Sequence, residues 1–147
     1  MPTRPGTAEA RLSITRDLPY PPEAVFAAWI DPEGLRVWMC PFSITHTEAL
    51  IDARVGGRFV LVMHEPGCAY EQTGEYLAID PPGRLQFTWV SKGTEMMESL
   101  VTITLANRGG GTRLELAHER LPHDRAAAGH EAGWNEILDK LTDYLSQ

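Results

Sequence analysis

From Ile44 to Glu119 the sequence shows no helical period, only short apolar runs broken by glycine, proline and polar clusters. "ITHTEALIDARV" meets a turn at Gly56–Gly57, and "RFVLVMH" follows. "EPGCAYEQ" reads as a loop. "TGEYLAI", "RLQFTWV", "SLVTITLA" and "TRLELAHE" are separated by "DPPG", "SKGTE" and "NRGGG". Each run has the length and residue types of a strand, and the breaks carry turn chemistry. The stretch predicts six strands of an antiparallel meander.

The flanking segments say what the meander packs against. "ARLSITRDL" alternates as a half-buried strand, which brings the expected total to about seven. The period then changes: Val25, Phe26, Trp29 and Ile30 fall on one helical stripe behind Pro21 and Pro22. Asp31 and Pro32 cap and open a second short helix carrying Leu35, Trp38 and Met39, which Pro41 stops. The tail predicts one long helix from about Asp124 to Ser146, with Trp134, Ile137, Leu138, Leu141 and Leu145 as its apolar stripe. Gly129 and Gly133 lie inside it, each costing roughly 1 kcal/mol of helix propensity, a sign of close approach by the sheet or a bound molecule. One bent sheet around one helix buries every apolar face and gives an α+β fold. One helix does not fill a strongly bent sheet, so a pocket is expected between them, with the short helices near its mouth. Residues 1–10 read as a flexible tail and residues 11–147 as a single domain.

Composition excludes several partners. The net charge is −7 and the basic residues are scattered, which disfavours nucleic acid and a polybasic membrane contact. No apolar run approaches the roughly 20 residues of a membrane span, and the first ten residues lack a signal-peptide core. Cys40 and Cys68 do not make a disulfide framework, so the expectation is a cytoplasmic protein with reduced thiols.

The candidates for chemistry are few. "RVGGRF" and "NRGGGT" lead into strands, so no helix N-terminus backs them as phosphate loops; they read as hairpin turns. His64, Cys68, His46 and Cys40 match no usual zinc spacing, and neither metal nor cofactor is expected. No nucleophile elbow or zinc-protease motif is present. Glu75 and Glu98 flank strands and read as solvated. His118 shares parity with Leu114 and Leu116, which points it inward as the acid–base candidate should the protein be an enzyme. The plain alternative is a core histidine with one backbone hydrogen bond. Phe59 and Met63 share one strand face, as do Phe87 and Trp89. With Trp38, His118, Trp134 and Leu138 they form the expected ligand-binding set. Trp38 is expected at the mouth and Trp29 in the core.

An ordered set of motifs carries a resemblance over nearly the whole chain. It comprises "RDLPYPPEAVFAAWIDPEGL" from Arg16 with Trp38 and Pro41, "DARVGGRF" from Asp52, "GEYLAIDPPGRLQFTW" from Gly74, "GTRLELAHE" from Gly111 and "GWNEILDKL" from Gly133. The chain resembles the START/polyketide-cyclase superfamily, and more closely the bacterial homologues of the activator of the Hsp90 ATPase. The resemblance implies the helix-grip fold. It departs at Trp38–Met39, where many members carry two adjacent tryptophans, which reshapes the pocket. Three readings follow. The first is a binding domain for a small hydrophobic or amphipathic molecule. The second is a cyclase-, lyase- or hydrolase-like enzyme using the same pocket. The third is a module that stimulates a chaperone ATPase; the additional domain of the eukaryotic activators is not in this sequence, which disfavours a chaperone partner. A homodimer is compatible with the sequence.

Overall fold

The first strand sets the register of the sheet by strict alternation: Leu12, Ile14 and Leu18 are buried and the residues between them are not. The computed structural model describes residues 10–147. The expected tail over 1–10 lies outside them except for Ala10, which is buried as the first residue of β1 (Ala10–Leu18). Two short helices follow, α1 (Pro22–Trp29) and α2 (Pro32–Trp38). The Asp31 side chain accepts from the Glu33 N–H and caps α2. Then come β2 (His46–Ile51), β3 (Arg58–Glu65), β4 (Cys68–Asp80), β5 (Arg84–Trp89), β6 (Ser99–Arg108) and β7 (Gly111–Leu121), and α3 (Asp124–Leu145) closes the chain. The seven strands form one antiparallel sheet in the order β1-β7-β6-β5-β4-β3-β2. This is the expected α+β helix-grip architecture.

The sheet curls at β4. Its first part pairs with β3 up to Glu75, opposite Arg58, and its last part pairs with β5 through a register shift between Tyr76 and Ala78. Gly56 and Gly57 exchange backbone hydrogen bonds with Tyr76 at this bend. Gly74 sits just before it because a Cβ there would collide with the Thr88 carbonyl and the Phe59 ring. The segment expected as a loop, "EPGCAYEQ", is corrected. Glu65 pairs directly with Cys68 across a two-residue turn, and Gly67 supplies the positive φ of 83°. The strand therefore starts at Cys68 rather than Thr73.

The helix α3 lies across the inner face of this curl. Trp134, Ile137, Leu138 and Leu141 are buried against it. Arg16 of β1 holds the helix with an ion pair to Asp139 at 2.9 Å and a hydrogen bond to the Asn135 carbonyl at 3.1 Å. All four tryptophans connect in one chain of ring contacts: Trp38–Trp29 at 4.8 Å, Trp29–Trp134 at 6.2 Å and Trp134–Trp89 at 5.2 Å. Trp29 is in the core as expected. Trp38 is not at a mouth: it is fully buried, edge-on to Trp29. The reason is a lock at the end of α2, where the Thr47 hydroxyl of β2 donates to the Met39 carbonyl at 2.7 Å and draws the helix end onto the sheet.

Candidate functional site

An open cleft of about 1010 Å³ runs between the free end of the sheet and the first half of α3. One wall is the β3–β4 hairpin, another is the end of β5 with the 3₁₀ turn Lys92–Thr94, and the third is α3 from Arg125 to Ile137. The loop after α2, with Phe42 and Ile44, completes it. Carboxylates fasten the rim. Glu65 accepts from the Ser43 hydroxyl at 2.7 Å and from the Tyr70 phenol at 3.2 Å. The neighbouring Cys68 sulfur and the Glu65 carboxylate push the Tyr70 phenol up to about 12, so it remains a donor at neutral pH. Glu136 of α3 accepts from the Phe42 N–H at 2.7 Å. On the other lip, His123 caps α3 by accepting from the Ala126 N–H at 3.0 Å and donates to Glu95 at 2.9 Å. Glu95 and Met96 both carry positive φ, so that lip is held in a backbone shape non-glycine residues rarely adopt.

Apart from His118, the expected binding set divides into three groups. Met63, Trp89 and Trp134 border the cleft. Phe59 and Phe87 instead border a separate void of about 20 Å³ deeper in the core, with Trp89 as the partition between the two. Trp38 and Leu138 line neither and are fully buried; both are corrected to core residues. Glu75 lies on the outer face, 3.6 Å from Arg58, and Glu98 is exposed.

His118 points inward, as its parity requires, and is fully buried. Its surroundings fix its state. Nδ1 accepts from the Trp134 indole N–H at 3.0 Å, so Nε2 carries the proton and donates to Ser99 Oγ at 2.8 Å. The Ser99 hydroxyl in turn donates to the Trp89 carbonyl at 2.6 Å. Burial, reinforced by the neighbouring His130, holds the imidazole down to about 3. Both nitrogens of the neutral ring are engaged within the core, and His118 does not line the cleft. It is a positioning residue that ties Trp134 to the end of β5.

Three polar residues of the cleft escaped sequence reading. Gln72 is 9% exposed, lines the cleft, and its Oε1 has no partner among the described residues. Its inward parity with Gly74 and Tyr76 was legible once the strand is started at Cys68. Ser91 lies beside it, because Thr73 bridges to Val90. His130 sits one helical turn before Trp134, where the helical stripe itself could have found it. Its Nδ1 donates to the Ala126 carbonyl at 2.8 Å, which leaves Nε2 as an acceptor. Burial lowers its tendency to protonate, and the Ala126 carbonyl opposes this in part. Among the described residues no group of three His, Cys, Asp or Glu side chains converges in a way that could hold a metal ion. No helix of the described chain is long and apolar enough to cross a membrane.

Fold and cleft together define a helix-grip protein whose terminal helix and curled sheet leave one side of the grip open. The chain belongs to the family described as Activator of Hsp90 ATPase homolog 1-like protein, which matches residues 19–146. Among solved structures, protein CV1439 from Chromobacterium violaceum is similar at 28% identity and a TM-score of 0.85, over 93% of this chain and 97% of that one. The AHSA1 protein SPO3351 from Silicibacter pomeroyi is similar at 30% identity and a TM-score of 0.80, over 93% and 98%. An AHSA1-like protein from Aeromonas hydrophila is similar at 28% identity and a TM-score of 0.78, over 92% of each chain. No curated protein matches the chain.

Proposed function

We propose that this protein binds a small hydrophobic or amphipathic molecule in the cleft between β4, β5 and α3. The observation that carries the reading is the cleft itself. Its volume of about 1010 Å³ is at the upper end of small-molecule sites, and Met63, Trp89, Trp134 and Ile137 give it an apolar floor. The state of His118 favours binding over acid–base catalysis, since its ring is neutral and fully hydrogen-bonded.

Gly129 offers a clean test. It lines the cleft, and a Cβ at this position would meet nothing within 4 Å. Gly129→Phe fills the cleft while improving helix propensity. The expected result is saturable binding of the neutral dye Nile red to the wild type and its loss in Gly129→Phe with the circular dichroism unchanged. Equal binding by the two proteins, or none by the wild type, overturns the reading.

A further inference from the structure

Where β4, the end of β5 and α3 meet, the apolar floor of the cleft gives way to Gln72, Ser91 and His130. Gln72 lines the cleft, and its Oε1 is buried without a donor among the described residues. A buried carbonyl without a partner is costly, so a molecule that turns this amide toward the cleft and supplies a proton to its oxygen gains a hydrogen bond. His130 Nε2 is the second acceptor, since Nδ1–H is committed to the Ala126 carbonyl. The Ser91 hydroxyl joins them. A side chain on Gly93 would place its Cβ 3.3 Å from His130 Nε2 and 3.4 Å from Ser91 Oγ; the glycine leaves that point open. Gln72 stands next to Ser91 through the Thr73–Val90 bridge. The three side chains therefore come from β4, the end of β5 and α3 to one part of one cleft.

We propose that Gln72, Ser91 and His130 form a hydrogen-bond-accepting subsite that takes the hydroxyl of a neutral alcohol or phenol whose apolar body lies against Trp134 and Met63. The proposal rests on the binding reading above and narrows it to a ligand class. A carboxylate would turn its lone pairs toward that of His130 Nε2, and the cations of the cleft, Lys92 and Arg125, are both exposed to solvent. An ammonium group would be desolvated among neutral partners, with the carboxylates of the cleft confined to the rim contacts of Glu65 and Glu95 and to exposed Glu71. A hydroxyl donates to one acceptor and still accepts from the Ser91 hydroxyl or the Gln72 amide N–H.

The test is displacement of Nile red by four probes that share one apolar body: para-hexylphenol, hexylbenzene, para-hexylbenzoate and para-hexylbenzylammonium. The phenol should displace the dye about 10-fold more tightly than hexylbenzene, as expected for one to two added hydrogen bonds, and the two ions should bind more weakly than the phenol. Gln72→Leu combined with His130→Phe should bring the phenol within about twofold of hexylbenzene while hexylbenzene itself still binds. A second readout needs no variant. The nitrogen resonance of His130 Nε2 should move upfield when the phenol is added, as it does when an unprotonated imidazole nitrogen accepts a hydrogen bond. Equal affinity for all four probes, tightest binding of either ion, or an unmoved Nε2 resonance at saturation overturns the subsite while leaving the cleft reading intact. Failure of every probe and of Nile red to bind overturns both.

Discussion

The Trp134 indole donates its proton to His118 Nδ1 at 3.0 Å, across the boundary between α3 and β7. A residue that faces the cleft is thus oriented by one that does not. Replacing His118 by leucine should leave the Trp134 N–H and the Ser99 hydroxyl short of a partner and destabilise the fold by about 2–4 kcal/mol in urea. A double-mutant cycle with Trp134→Phe should recover a coupling of about 1 kcal/mol or more. Strict additivity would show the hydrogen bond to be absent in solution.

The same histidine predicts a pH dependence of stability. Its ordinary value is 6.5, and in the folded protein burial and His130 hold it to about 3. The unfolded chain therefore takes up a proton that the native chain refuses. Stability from this group is fully present above 6.5 and is lost as the pH falls from 6.5 toward 3. The slope is on the order of 1.4 kcal/mol per pH unit for one proton. His130, lowered chiefly by its own burial, contributes in the same direction. Urea midpoints collected from about pH 7 to pH 5 should fall for the wild type, and less steeply for His118→Gln. Parallel curves for the two proteins would refute the assignment of a buried neutral imidazole.

Trp38→Phe should spare binding and Trp134→Phe should weaken it, although both rings are buried. Trp38→Ala is expected to cost about 3–5 kcal/mol, as for a large side chain removed from a packed core. The milder Trp38→Phe should leave Nile red affinity within about twofold, because the ring lines neither cavity. Trp134→Phe should weaken it, because that ring borders the cleft and loses its tie to His118. A change in affinity from Trp38→Phe as large as that from Trp134→Phe would place the binding site elsewhere.

Gly74→Ala should be among the most damaging single-methyl additions in the chain. The added carbon meets the Thr88 carbonyl and the Phe59 ring at the bend of β4, and backbone has little room to yield. A loss of about 3 kcal/mol or more is expected, read as the shift in thermal midpoint. Gly129→Ala, with open space around its Cβ, should instead stabilise by about 0.5–1 kcal/mol.

The strand count, the two capped helices and the long terminal helix were legible because each is written in a local period or a local stop signal. The β4 start was not. Pro66, Gly67 and Cys68 look like the middle of a loop, yet the turn occupies two residues and the strand resumes at once. That displacement hid Gln72, whose inward parity depends on where the strand begins. His118 was placed correctly by alternation, but alternation says nothing about partners. Its engagement by Trp134 and Ser99 joins residues 16 and 19 positions apart in sequence. Trp38 was misplaced for a related reason: the Thr47–Met39 hydrogen bond that draws α2 inward is a tertiary contact with no sequence signature.

One backbone, β4, belongs both to the hairpin wall of the cleft and to the ladder that continues into the core. The wall is therefore a lever, and its fulcrum is the bend between Gly74 and Ala78, braced by the hydrogen bonds of Tyr76 to Gly56 and Gly57. The aperture is not adjusted at the rim alone. An outward displacement of the Pro66–Gly67 tip would be carried along β3 and β4 to the Gly56–Gly57 turn at the other end of the hairpin, so a substitution in that turn is expected to alter the width of the cleft.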